Sequence, residues 1–252
     1  MNNLVEISPT FATQKKEQMN IKGANVLVTG GSLGIGKETA RLLAEKGANV
    51  VITGRNTETL SAAAAVTGAK AVVFDISDLD SIKTKSKECI EALGGKIDVL
   101  LNNAGIGDFP ILGEITPDNF NEVFNTNVFG LALLTQEVVK PMKEAQAGTI
   151  INIGSTAAQK GFGRGTVYSA SKFAVRSMTQ CWQAELRKEN IRVCLVNPSE
   201  VTTAFNVDSR EEKAEEANKL SPAEIGHTIC SVIEMDDRGF IPEVTVWATN
   251  PF

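Results

Sequence analysis

The chain predicts a single α/β domain: a doubly wound, seven-stranded parallel sheet with helices on both faces. Three observations lead there. Seven short runs are β-branched and apolar on both faces rather than alternating, as strands covered by helices on two sides read. Longer helix-forming stretches separate them, which implies right-handed crossovers between parallel neighbours. Finally, no linker, repeat or low-complexity tract divides the 252 residues, a length one α/β domain can hold. The expected organisation is an arm over 1–20 and one domain over 21–252, with halves meeting near residue 150.

The elements follow in order. The first twenty residues lack the apolar centre and cleavage site of a secretory signal and read as a loose arm, with a cytoplasmic location expected. The first run, 24–30, leads into Thr29-Gly30-Gly31-Ser32-Leu33-Gly34-Ile35-Gly36 and a helix over 36–46. Glycine belongs where a chain turns tightly or lets backbone approach a ligand. The helix start behind it offers N–H groups and a positive dipole end to a phosphate. Between a first strand and a first helix, this G-x-x-x-G-x-G turn predicts a nucleotide site. The second run, 49–54, ends Thr53-Gly54-Arg55-Asn56, with no carboxylate before Glu58 to hold the 2′-hydroxyl of NAD. A small residue followed by Arg55 leaves room and charge for a 2′-phosphate, so NADP is expected over NAD.

The third run (70–75) precedes a helix over 78–93, and the fourth (97–103) precedes one over 118–146 opened by Thr116-Pro117, a cap before a first-turn proline. The fifth (149–155) ends on Ser155, at the carboxyl edge where open α/β sheets bind ligands. A helix over 168–189 begins with Tyr168-Ser169-Ala170-Ser171-Lys172, which puts a phenol and an ammonium on one face. A fixed cation lowers a phenol's pKa and makes it a usable proton donor or acceptor near neutrality. The sixth run is 191–197. The charged stretch 208–219 is helical in composition and reads either as a solvated helix face or as a mobile lid. Ser221-Pro222-Ala223-Glu224 carries a capping box for the last helix, and 243–249 is the seventh run.

Composition narrows the chemistry. A net charge of −5 argues against nucleic acid as a partner, and no stretch reaches the roughly 20 apolar residues of a membrane span. A single histidine, His227, precludes a His-rich metal site, and it is read as structural. Cys89, Cys181, Cys194 and Cys230 form no C-x-x-C pair, so reduced, mostly buried thiols and no metal are expected. The chemistry falls to hydroxyls, amines, carboxyls or a borrowed cofactor.

Together, Thr29-Gly30 with Gly34 and Gly36, Asp75, Asn102-Asn103-Ala104-Gly105, Asn127, Ser155, Tyr168 with Lys172, Asn197-Pro198 and Val201 with Thr203 resemble the short-chain dehydrogenase/reductase family. The likeness covers residues 24 to about 205 and implies a Rossmann-type fold, with a cofactor half to about residue 150 and a catalytic and substrate half beyond it. It implies that Tyr168 is the general acid in carbonyl reduction and the base in alcohol oxidation, and that Lys172 holds the nicotinamide ribose and lowers the phenol's pKa. Ser155 would hydrogen-bond the substrate oxygen, and Asn127 would bend its helix and anchor a water in a proton relay. Gly30, Ser32, Leu33, Gly34, Ile35 and Gly36 would hold the phosphates with Arg55, while Asp75 and Ile76 take the adenine. Asn103, Ala104 and Gly105 would line the cofactor, and Pro198, Val201 and Thr203 would shape the nicotinamide pocket. Two departures stand out: Ser199-Glu200 after Pro198, where the family usually has glycine, and the ending Phe240 to Trp247, which looks like a last strand used in subunit packing.

The expected function is NADP-dependent reduction of a ketone or aldehyde, or oxidation of the alcohol in reverse. Motif content resembles the 3-oxoacyl-carrier-protein reductases, although Gln146 and Glu189 stand where such enzymes tend to carry arginine, which disfavours the acidic carrier. The alternatives are a catalytically silent nucleotide-binding sensor or scaffold and an NAD-dependent alcohol dehydrogenase of the same family. The loop after Gly105 and those over 156–165 and 202–220 should line the substrate site, with Phe109, Phe162 and Phe205 hinting at an apolar pocket. The helices over 118–146 and 168–189 suit pairing into a homotetramer or homodimer, with Phe124, Val128 and Leu133 either interface or core.

Overall fold

The computed structural model describes residues 20–205 and 214–251. Nearly all of the expected arm and residues 208–213 of the charged stretch lie outside them. Seven strands form one sheet: β1 (Asn25–Val28), β2 (Asn49–Gly54), β3 (Lys70–Val73), β4 (Val99–Asn102), β5 (Gly148–Ile153), β6 (Ile191–Pro198) and β7 (Glu243–Val246). Their order is β3-β2-β1-β4-β5-β6-β7, and every neighbouring pair is parallel. Consecutive residues supply opposite faces, as the pleat requires. Val26, Val28, Leu101 and Ile151 pack with Leu43, Leu60 and Ile229. Leu27, Leu100 and Ile150 pack with Ile82, Leu134 and Leu186. Both faces are therefore apolar, which is why the runs do not alternate.

Helices α1 (Gly34–Glu45), α2 (Thr57–Thr67) and α7 (Pro222–Ile233) cover the first face, and α3 (Ile82–Ala92), α5 (Leu131–Ala145) and α6 (Thr166–Leu186) cover the second. The sequence anticipates one helix over 118–146. It is instead α4 (Pro117–Phe124), a π-helical turn over Asn125–Gly130, and α5. The turn ends at Gly130, where a Cβ would stand 2.1 Å from the carbonyl oxygen of Ile76, so the chain passes too close there for a side chain. The capping signals are realised. Thr116 and Asn119 reciprocate at the start of α4, and Ser221 and Glu224 do so at α7. Over 214–219, however, the helical composition does not become a helix. The backbone there leads into Leu220, whose carbonyl accepts from both the amide and the hydroxyl of Thr202, at 2.8 and 3.1 Å.

A buried polar ladder sets the second layer against the sheet. Asn102 Nδ2 donates to Thr135 Oγ1 and to Asn152 Oδ1, each at 2.9 Å, and Asn152 Nδ2 donates to Thr179 Oγ1 at 2.8 Å. Side chains from β4, α5, β5 and α6 are thus keyed together under the carboxyl edge. Among the described residues no helix is long and apolar enough to cross a membrane.

Candidate active site

Several runs extend past their ladders: 29–31 after β1, 103–105 after β4 and 154–155 after β5 leave the sheet at its carboxyl edge. They turn there to make a continuous cleft. Its first part holds Gly30, Ser32, Leu33, Gly34, Arg55, Asp75, Ile76, Ala104 and Thr126. The second, about 730 Å³, holds Ile35, Ser155, Tyr168, Lys172, Pro198, Ser199, Glu200, Val201 and Trp247. Asn103, Gly105, Thr203 and Phe205 line both. Of the sequence-predicted residues, Gly36 and Asn127 stand behind the wall rather than on it.

The glycine turn is tight: a Cβ at Gly36 would lie 2.3 Å from the Gly30 carbonyl oxygen. Thr29 Oγ1 accepts from the amides of Asn103 and Ala104, both at 3.0 Å, and Asn103 Nδ2 donates to the carbonyls of Thr29 and Gly30, both at 3.0 Å. The turns after β1 and β4 therefore form one rigid wall. Leu33, the N-cap of α1, offers no side-chain hydrogen bond, unlike Asn56, Thr116 and Ser221 at their helices. That helix start opens on the cleft, and a phosphate suits it. Exposed Arg55 has no hydrogen bond or ion pair among the described residues, so its guanidinium stands available at the rim. Asp75 Oδ1 accepts from the amide and hydroxyl of Ser77 at 3.0 and 2.7 Å, which fixes the carboxylate beside buried Ile76. The residues present thus fit a dinucleotide laid along this edge.

At the other end, Tyr168 and Lys172 rise from the first turns of α6. The Tyr168 phenol is buried, and Ser155 lines the same cleft close enough to favour its ionised form. Lys172 Nζ lies 5.8 Å from the centre of the Tyr168 ring and donates to the Ile153 carbonyl at 2.9 Å. Desolvation pushes the phenol up to about 12, against a counter-pull from Ser155, and pulls the Lys172 ammonium down to about 8. The lowering of the phenol expected from its cation is not seen in the protein alone: burial raises it, and the only opposing pull comes from Ser155.

Asn127 sits in the π turn with its side chain engaged on both ends. Oδ1 accepts from the Ile106 amide at 2.9 Å, and Nδ2 donates to the Ile106 carbonyl at 2.9 Å and to Ser171 Oγ at 3.0 Å. Ser171 in turn donates to the Tyr168 carbonyl at 2.7 Å, so the loop after β4 is braced to the helix bearing the phenol.

Sequence reasoning missed the support behind Ser155. Its amide donates to Asn197 Oδ1 at 3.2 Å; Asn197 Nδ2 donates to Glu243 Oε1 at 2.8 Å; Glu243 Oε2 pairs with Arg176 at 3.2 Å. Asn197 was legible as part of a motif, but no local signal marks Glu243, which reaches the site only through the pairing of β6 with β7. The Glu200 departure places a carboxylate at the cleft rim, where Lys219 Nζ pairs with it at 2.9 Å and with Glu216 at 3.3 Å. Gln146 and Glu189 pair with one another just ahead of β5 and β6, at the amino edge of the sheet. Three thiols (Cys89, Cys194, Cys230) are buried and Cys181 is exposed, all free.

The family model for short chain dehydrogenases matches residues 24–214. An oxidoreductase of Sarocladium schorii, asL5, is 32% identical over 237 residues, covering 88% of this chain and 92% of that protein. The 3-oxoacyl-[acyl-carrier-protein] reductase FabG of Vibrio harveyi is 34% identical over 202 residues, covering 76% of this chain and 81% of its own. A metagenomic short-chain oxidoreductase solved in complex with NADP superposes with a TM-score of 0.77 at 31% identity, over 90% of this chain and 97% of that one. A motif series in family order, a sheet in the family's strand order and likeness along most of the length agree, and the chain belongs to the short-chain dehydrogenase/reductase family of oxidoreductases.

Proposed function

We propose that the protein is an NADP-dependent reductase of a ketone or aldehyde, acting in reverse as a dehydrogenase of the corresponding alcohol, and that Asn127, Ser155, Tyr168 and Lys172 form its active site. The observation that carries this reading is the meeting of phenol, ammonium and serine hydroxyl at the carboxyl edge, beside a helix start suited to phosphate. When bound, the cofactor supplies the hydride. Ser155 Oγ donates to the carbonyl oxygen and stabilises the charge that develops there. Tyr168, protonated at neutral pH, delivers its proton to that oxygen. Lys172, still mostly an ammonium at pH 7, steadies the phenolate that remains. Asn127 keeps the Ile106 loop and α6 in register while this happens.

Arg55 supports NADP over NAD, because it follows Gly54 at the cleft and stands unpaired among the described residues. The neighbour solved with NADP agrees with that preference. We further propose a cytoplasmic, homotetrameric or homodimeric assembly acting on a small carbonyl or alcohol rather than on nucleic acid or membrane. The test is a set of carbonyl compounds run against NADPH and NADH in parallel, on wild type and Tyr168→Phe. Turnover with NADPH, at least tenfold better in kcat/KM than with NADH, should vanish in Tyr168→Phe while NADPH binding persists. Undiminished activity in that variant would refute the mechanism.

A further inference from the structure

We propose that the substrate carries an aromatic ring a short distance from its carbonyl, and that the ring is held by Phe109, Phe162, Phe205 and Trp247. This rests on the carbonyl-reductase reading above and names the substrate class for the same site. The Tyr168 ring is flanked on two sides: Phe109 lies 5.4 Å away between centroids and Phe205 5.5 Å away, each tilted by 58°. Phe162 continues the series 6.1 Å from Phe109, tilted by 43°. All three line the cleft together with Trp247. Tilted rings present both positive edges and negative faces to the space between them, the surroundings in which a further ring is favoured over a saturated group of equal size.

The enclosure is built rather than incidental. Gly107 admits Phe109 and Phe205 together, since a Cβ there would lie 2.7 Å from one ring and 3.0 Å from the other. Arg164 holds the width of the opening. It adopts φ 65°, a left-handed conformation costly for a side-chain residue, and its Nε donates to the Phe109 carbonyl at 2.9 Å. That bond ties the loop after β4 to the loop before α6. At the mouth, Phe162 is 50% and Trp247 63% exposed, apolar surface that a bound ring would cover.

The test compares 4-phenylbutan-2-one, 4-cyclohexylbutan-2-one and hydroxyacetone with NADPH as reductant. Each ketone takes hydride from NADPH at carbon and a proton at oxygen, giving the alcohol and NADP⁺. The first two ketones keep the carbonyl's own reactivity alike and differ only in the ring. The phenyl compound should exceed the cyclohexyl one in kcat/KM by roughly twofold to tenfold. Phe162→Leu, at the rim, should narrow that ratio toward one. A cyclohexyl compound equal to or better than the phenyl one, or hydroxyacetone matching both, with turnover still abolished in Tyr168→Phe, would overturn the aromatic site alone. If no ketone is reduced, quenching of tryptophan fluorescence by 4-phenylbutan-2-ol decides. Saturable quenching, stronger than with the cyclohexyl alcohol and lost in Trp247→Phe, would uphold the ring site while the reductase reading falls. Quenching that is absent or equal for both alcohols would overturn the ring site as well.

Discussion

Burial holds the Lys172 ammonium at about 8, well under its ordinary 10.5, so at neutral pH the folded state carries a desolvation cost that one bond to Ile153 offsets only in part. Between those two values the unfolded chain binds more protons than the folded one, so stability rises with pH. Tyr168 works the other way: raised to about 12 from 10.0, it contributes stability that is present below pH 10 and lost as pH climbs toward 12. Buried Cys89 and Cys194, also pushed up to about 12, share that sign from pH 9. Subtracting a Lys172→Met variant isolates the lysine. Urea unfolding at pH 7 and pH 10 should show the wild type gaining up to about 3 kcal/mol on the variant, the span from 10.5 to about 8 converted to free energy. A constant difference between the two proteins across that range would refute the assignment.

The π turn at Asn125–Gly130 is the element on which the cleft's far wall depends. Asn127→Ala leaves both the amide and the carbonyl of Ile106 without their side-chain partner, at a cost of about 1–3 kcal/mol. A urea midpoint shift of that size should accompany a fall in kcat larger than the change in KM, because the brace to Ser171 and Tyr168 is cut as well. An unchanged midpoint and kcat would show the brace to be dispensable. The turn also marks the limit of reading by pattern. All seven strands were legible: the central ones, such as β4 and β5, are buried along their whole length and show as apolar runs, while the edge strands β3 and β7 are less buried and show by β-branched content and spacing. Ser155, Tyr168 and Lys172 were legible because strand end and helix start lie at one edge. The helical pattern of 118–146 hides the π turn; only the family resemblance, through Asn127, implied a bend there, and the close approach of the Ile76 carbonyl to Gly130 comes from a distant part of the chain. Over 214–219 the residues favour helix but form none, and the chain there leads into Leu220, which Thr202 engages from another part of the chain. Glu243, too, becomes meaningful only through long-range pairing.

At the scale of the molecule, the cleft spans the point where the strand order reverses, between β1 and β4, as open α/β sheets arrange it. The outer surface of the second layer is less settled as a solvent face. Val128 is core, but Phe129, Leu133 and Phe173 are 48%, 37% and 43% exposed on the π turn, α5 and α6. Phe129 extends a chain of ring contacts through Phe124 to Phe120. Such a surface is expected to be covered by a second copy. Light scattering at micromolar concentration should therefore report a dimer or tetramer, and Leu133→Lys with Phe173→Glu should release monomer; a wild-type monomer would refute the assembly.

Tyr168 is the sole tyrosine of the chain and lies buried in the site. The near-ultraviolet band of a tyrosinate therefore has a single origin in this protein. Any tyrosinate formed in the folded protein, with or without cofactor, can be assigned to the proposed acid with no isotope label and no second tyrosine to subtract. That signal reads the proton that the proposed reaction transfers.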